Sequence, residues 1–372
     1  MASETKAPTM LAALARANAQ QLALEAVPRP IPAQGEVLIK VAAAGIAPGM
    51  MKLLERGQFK HLPTIPGHEM AGTVTLLGAG VDEHWLHARV RVHPMLSCGH
   101  CAYCLTGRPH LCAEAAMMGH AALGHGNLPR YRCYHKGGLA EYVRAPVDLL
   151  DRLPEHVSFE VGAKLHDLAN AVRALKCAAL PPRGRLIITA ATGTMGTASI
   201  LLAKFYGAQS LTLVARSRKR LEDVLPLVGN LPVHIVPLDT LGPDWETTGA
   251  LTEQLRAQFP DGADGVLDFF PSGAGSVQAM AALGTGGTFV HMGANNAALP
   301  LSLREMMLHC WRLVGTKACT RADTNEVLAL LDEKKINADV LITHRFALQD
   351  VNQALQLMLS RREPMWMATV HP

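Results

Sequence analysis

The sequence predicts an α/β chain in two parts: a β-rich part, and a parallel sheet of alternating strands and helices. Three observations carry this. The length of 372 residues suits two domains. From about Leu168 short apolar runs alternate with helical runs, the mark of a parallel sheet. Within that region Gly184 to Arg220 reads as strand, glycine turn, helix, strand. A hydrophobic content of 49% and a charged content of 18% describe a globular chain with ample core. The formal charge of +4 is small, and outside 216–220 the basic residues are scattered. Nothing therefore suggests a nucleic-acid or polybasic membrane surface.

In chain order, Met1 to Pro8 is polar, and the alanine-rich segment after it is interrupted by Arg16 and Asn18. Neither reads as a secretory signal, and Glu4 counts against a mitochondrial presequence. Met10 to Val27 predicts short strands with a turn, closed by Pro28-Arg29-Pro30. Val37–Val41, Ala71–Val74 and Arg89–Val92 predict strands, and Gly45 to Lys52 a loop entering a short helix. Residues 113–137 have no strong period and predict a long loop, of the kind that often carries function. Gly138–Val143 returns to strand. Later strands are expected at Val233–Val236, Asp264–Phe269 and Gly287–Met292, with helices at Thr252–Phe259 and Ser276–Ala282. Beyond about Cys310 the chain is expected to rejoin its first part, giving divisions at 1–167, 168–308 and 309–372.

The central βαβ unit carries the first chemistry. Leu186-Ile187-Ile188-Thr189-Ala190 is a short apolar strand. Ala191-Thr192-Gly193-Thr194-Met195-Gly196 forms the turn, Thr197 to Tyr206 a helix that Gly207 stops, and Leu211–Val214 the next strand. A glycine turn opening a helix binds a dinucleotide pyrophosphate, which places Thr192, Gly193, Thr194, Met195 and Gly196 at the cofactor. Ala191 stands where the first glycine of the fingerprint is usual. No charge lies between Leu186 and Ala203, nearly a membrane span in length, but the threonines and glycines argue against one. An NAD site carries an acid near the end of the second strand. Here Ala215 is followed by Arg216-Ser217-Arg218-Lys219-Arg220. Arg216, Ser217 and Arg220 suit a 2′-phosphate, so NADPH is expected over NADH.

Of the eight cysteines, Cys98, Cys101, Cys104 and Cys112 share one loop. Four thiolates suit a tetrahedral zinc with no open position, a structural site. An iron–sulfur cluster shares the first spacing, but the last gap is longer and Ala113 follows instead of proline. The other four cysteines are isolated, which fits a reducing compartment, the cytoplasm.

These features together resemble the medium-chain, zinc-binding alcohol dehydrogenase superfamily over nearly the whole chain. The resemblance rests on Pro28–Val41, Pro66-Gly67-His68-Glu69-x-Ala71-Gly72, the cysteine loop, Gly138–Val143, the nucleotide turn and Ile342-Thr343-His344-Arg345-Phe346. It implies a GroES-like catalytic domain formed from both chain ends and an inserted Rossmann domain, with the active site in the cleft between them. It further implies a homodimer or homotetramer, and a nicotinamide lying against His166–Asn170, hence Asn170, and against the backbone of Met292 and Gly293.

The departure from the family is informative. The family's catalytic zinc is usually held by a cysteine in a segment like G-x-C-x-[ST]-D, by the histidine of G-H-E, and by a later cysteine or carboxylate. In Gly45-Ile46-Ala47-Pro48-Gly49-Met50 the cysteine position is Ala47 and the relay hydroxyl position is Gly49. The relay histidine would fall near Lys52, and the third ligand at His166 or Asp167. In one reading the catalytic zinc is lost, and His68, Glu69, Lys52, His166 and Asp167 keep other roles. In the other, zinc sits on His68, His166 or Asp167, and Glu69 or water. Without a Lewis acid, hydride transfer suits an acceptor already activated: an α,β-unsaturated carbonyl, a quinone or an iminium. The proton would come from Lys52, His68, Tyr131, Tyr134 or water. Metal-free reduction by NADPH of a small or medium-sized metabolite is the leading expectation. A zinc alcohol dehydrogenase with altered ligands comes second. A redox-neutral enzyme or a non-catalytic NADPH-binding protein is the alternative from a different class.

Overall fold

The computed structural model describes residues 8–372, so the leader reading at 1–7 falls outside the described residues. The chain forms two compact units. One runs up to His166 and resumes over Thr320–Pro372; the other is Asp167–Cys319.

The first unit opens with an antiparallel pair, β1 (Thr9–Leu14) and β2 (Ala23–Pro28). Then come β3 (Glu36–Ile46), helix α1 (Pro48–Glu55), β4 (Glu69–Leu77) and β5 (Arg89–Val92). β3 outruns the expected Val37–Val41 because Ala43, Ala44 and Gly45 keep pairing with Ala71, Met70 and Glu69 of β4. Tertiary pairing overrides the weak strand preference of alanine and glycine. β6 (Met95–Leu96) and β7 (Ala116–Met117) pair with each other, with α2 (Ala102–Leu105) in the cysteine loop between them. The stretch 113–137, expected as loop, also holds α3 (Pro129–Cys133). β8 (Tyr142–Pro146) starts later than expected. The amides of Gly137 and Gly138 donate to Ile65 and Gly67 instead of to a ladder. β9 (Leu150–Arg152) follows, then α4 (Phe159–Ala178).

The second unit is a parallel sheet of β10 (Gly184–Ile188), β11 (Ala208–Ala215), β12 (Val233–Pro237), β13 (Ala263–Asp268), β14 (Leu283–His291) and β15 (Arg312–Gly315). Their order is β12-β11-β10-β13-β14-β15. Helix α5 (Thr194–Leu202) follows β10, and α6 (Arg218–Val224) follows β11. α5 begins at Thr194, earlier than expected, and passes through a 3₁₀ turn, Ala203–Tyr206, to Gly207 at φ 89°. Residues 312–315 lie beyond the expected return near 309. They pair with β14, Thr288 opposite Arg312, and so belong to this sheet.

The chain closes with β16 (Ile342–Ala347) and β17 (Met367–His371), which complete the first unit's sheet in the order β16-β17-β3-β4-β5-β9. Ile39, Met70, Val74, Val90 and Val370 pack in its core. Ile187, Val214, Val266 and Phe289 do so in the second unit. Among the described residues no helix is long and apolar enough to cross a membrane.

Candidate active site

The cysteine lobe brings four sulfurs together. The Sγ atoms of Cys98, Cys101, Cys104 and Cys112 all lie within 4.8 Å of one another, the one such metal-ligating group among the described residues. The amide of Cys101 donates to Cys98 Sγ at 3.3 Å, and that of Glu114 to Cys112 Sγ at 3.3 Å. Backbone hydrogen bonding at His100 pulls the Cys98 thiol down to about 6, while burial pushes Cys112 up to about 12. A thiolate at Cys112 therefore calls for a cation, and four sulfurs at this spacing fit zinc.

A second polar cluster is buried in the first unit. His68 and Glu69 enter from the start of β4, 5% and 1% exposed. His166 comes from α4 and is 3% exposed. His120 comes from the loop after β7. The His68 ring lies edge-on to His120 at 4.6 Å between centroids, and to His166 at 5.1 Å. Burial holds His68 well below the usual imidazole range, with His120, His166 and Lys164 adding to the effect. Burial does the same to His166, followed by the charges of Arg91 and Lys164. Burial takes His120 down to about 4. The fold therefore favours the neutral form of all three rings. The Nδ1 atoms of His68 and His120 are buried without a hydrogen-bond partner among the described residues.

The remaining positions of this cluster are shaped by what is missing. Ala47 offers no donor atom. A Cβ on Gly49 would stand 3.2 Å from His120 Nε2, so the small residue leaves room for an imidazole where a hydroxyl side chain was expected. Lys164, on α4, is fully buried and donates to Glu69 Oε2 at 2.5 Å and to the carbonyl of Ile46 at 3.3 Å. Lys52 is half-buried on α1, and its side chain makes no hydrogen bond or ion pair among the described residues. Tyr131 donates to the His120 carbonyl at 2.9 Å, and Tyr134 to Glu36 at 2.8 Å, which commits both hydroxyls.

The second unit supplies the cofactor crevice. The strand order reverses between β10 and β13, the position where doubly wound sheets bind ligands. A Cβ on Gly196 would lie 2.5 Å from Ala191, so α5 meets its strand as closely as glycine allows. Gly193 is the N-cap of α5, and Thr194, Met195 and Gly196 form its first turn. A Cβ on Gly293 would lie 2.4 Å from the Phe270 carbonyl, and the Met292 amide donates to Asp268, which pins this backbone to the end of β13. Asn170 Oδ1 is buried without a hydrogen-bond partner among the described residues. Arg216, exposed just past β11, makes no ion pair among the described residues, and Ser217 caps α6 by accepting from the Arg220 amide at 3.4 Å. Glycine turn and orphaned amide oxygen fit a dinucleotide. Asp167, 7% exposed, opens this unit on α4.

Three participants were not picked out from sequence: His120, Lys164 as the partner of Glu69, and an Asp268–His291 pair. Asp268 is fully buried; it accepts from Thr189 Oγ1 at 2.6 Å and from His291 Nδ1 at 2.6 Å. The Asn295 amide donates to His291 Nε2 at 3.2 Å, which makes Nδ1 the protonated nitrogen. The available signals were a histidine after Gly119 and a lysine one turn before Leu168 on a helix that also carries His166 and Asp167.

Comparison with known proteins agrees with this geometry. Residues 33–155 match the model of the alcohol dehydrogenase GroES-like domain, and 194–333 that of the zinc-binding dehydrogenases. An L-galactonate-5-dehydrogenase of Escherichia coli is 28% identical, over 85% of this chain and 86% of its own. A sorbitol dehydrogenase of Bombyx mori is 28% identical, over 92% and 94%. The crystal structure of a thermostable alcohol dehydrogenase from Pyrobaculum aerophilum superposes with a TM-score of 0.81 at 26% identity, covering 98% of this chain and all of that one. The two domain models together span most of the chain, and it belongs to the medium-chain, zinc-binding alcohol dehydrogenase superfamily of oxidoreductases.

Proposed function

We propose that the chain is an NADPH-dependent reductase of an activated C=C, C=O or C=N bond in a small or medium-sized metabolite, working without a catalytic metal. The observation that carries this is Ala47, a methyl group where the family's thiolate is expected, together with a Glu69 already engaged by Lys164. The cofactor supplies a hydride. Thr192 to Gly196 hold its pyrophosphate, Arg216, Ser217 and Arg220 its 2′-phosphate, and Asn170, Met292 and Gly293 its nicotinamide end. His68 and His120 are neutral, so each can donate a hydrogen bond to an acceptor oxygen or pass a proton without carrying net charge. Such groups suit an acceptor that needs little polarisation. A homodimer or homotetramer in the cytoplasm completes the proposal. Exposed Leu303, Met307 and Leu308, next in sequence to edge strand β15, support self-association.

The test combines a metal count with labelled hydride. One zinc per chain, tighter binding of NADPH than NADH, and transfer of label from NADPH to an enone, quinone or iminium are expected. Label that never leaves the cofactor would overturn the reductase. One observation favours a second reading: the three imidazoles gather within ring contact, as altered ligands of a zinc alcohol dehydrogenase would. Two zincs per chain would establish it.

A further inference from the structure

The Lys164–Glu69 pair is a built feature. The Lys164 side chain is 1% exposed and that of Glu69 is fully buried. β3 is cut away to seat them: a Cβ on Gly45 would stand 2.2 Å from Glu69 Oε2 and 2.8 Å from Lys164 Cδ. The ammonium also donates to the carbonyl of Ile46, the residue before donorless Ala47. A fixed positive charge therefore rests on the backbone that leads to the missing thiolate, against the carboxylate of the G-H-E segment. His68 and His166 both feel it. A divalent ion brought to His68 would meet the like charge of Lys164 with no thiolate at Ala47 to offset it, and Glu69, whose Oε1 lies 3.5 Å from His68 Nε2, is already engaged by that ammonium.

We propose that Lys164 is a positioning residue that replaces the catalytic metal: its ammonium supplies the site's positive charge and excludes a cation from it. The inference rests on the metal-free reading above. In this role Lys164 holds Glu69 in place and stabilises negative charge that grows on the acceptor as hydride arrives. It acts through the field and through Glu69, since it is too buried to touch a substrate.

The experiment is a titration of the zinc-loaded protein with Co²⁺, read by metal content and by the visible bands of the bound ion. Wild type and Ala47→Cys are expected to take up no added equivalent, and Ala47→Cys/Lys164→Leu to take up one. If Ala47→Cys alone gains the ion as readily as the double variant, Lys164 is no barrier and the inference fails while the metal-free reading stands. If the correctly folded double variant gains none, the inference fails as well. A second ion in wild type overturns the reading itself. Should the double variant not fold, Glu69→Gln/Lys164→Met keeps a neutral pair of similar shape. Its kcat is expected to drop about 10²-fold at saturating NADPH, with cofactor affinity unchanged. Unchanged kcat in that variant would also sink the inference.

Discussion

The cysteine lobe and the histidine–lysine cluster are two groups of polar side chains in the first unit, and they are built in opposite ways. The lobe keeps four sulfurs in one loop, all within 4.8 Å of one another. The buried cluster has a methyl where a thiolate is expected and places an ammonium beside it. One site draws on consecutive sequence. The other is assembled from β3, β4, the loop holding His120, and α4. A site of the first kind is kept or lost as a unit. A site of the second kind can be rebuilt one residue at a time, because each contributor sits on its own element. The lobe is therefore suited to hold structure, and the cluster is the place where the proposed chemistry departs from the family's.

The largest effect should come from breaking the lobe. Structural zinc in small cysteine sites contributes on the order of 10 kcal/mol at neutral pH. Cys104→Ser is expected to abolish stoichiometric zinc and to lower the thermal midpoint steeply. Turnover should fall only as far as folding does. Metal analysis and calorimetry check this. A variant that lost turnover while keeping its zinc and its midpoint would erase the distinction between the two regions.

The same contrast governs what could be read from sequence. The cysteine spacing, the βαβ unit and the glycine turn were legible because each is local, and a period or a gap length encodes it. Ala47 and Gly49 were legible as departures from a motif. His120 was not, because its stretch has no period and only the fold brings its ring to His68. Lys164 sat inside a segment read for its ligand position, and nothing in the helical pattern shows that its ammonium turns to Glu69. The Asp268–His291 pair joins two adjacent parallel strands, and register is not visible in either strand alone.

Next in size is the pH response of the cluster. A histidine held below its unfolded value favours the neutral form in the fold. Its stabilisation is fully present above about 6.5 and is lost as pH falls toward the folded value. For His120, with a folded value of about 4, the loss across that window is roughly 3 kcal/mol. His68, His93 and His166 shift in the same direction, chiefly through burial. Urea midpoints measured from pH 7.5 to pH 4.5 should fall steeply. His120→Gln should lose less than wild type over the same range, and since it leaves the lobe intact the difference reports the cluster alone. Parallel curves would mean that His120 does not stay neutral.

A smaller effect is expected where the second unit meets the cofactor. A hydrogen bond to a charged group contributes about 1.5–3 kcal/mol. Arg216→Ala should therefore weaken NADPH by about tenfold or more and leave NADH unchanged, which fluorescence titration reads directly. Equal losses for both cofactors would place Arg216 on the shared part of the dinucleotide.

The smallest effect is expected at Lys52. It sits three residues after Gly49 on α1, on the face that Gly49 turns to His120. Half-buried and without a hydrogen-bond or ion-pair partner among the described residues, it can exchange protons with water, and water can take its place. Lys52→Met is expected to cost less than about tenfold in kcat, whereas His68→Ala should cost about 10²-fold or more, the range of a positioned proton-transfer group. The ordering matters more than either value. If Lys52→Met were the more damaging change, the proton would enter from α1 and the three imidazoles would be packing around it. The buried cluster would then differ from the cysteine lobe in composition but resemble it in role, as structure.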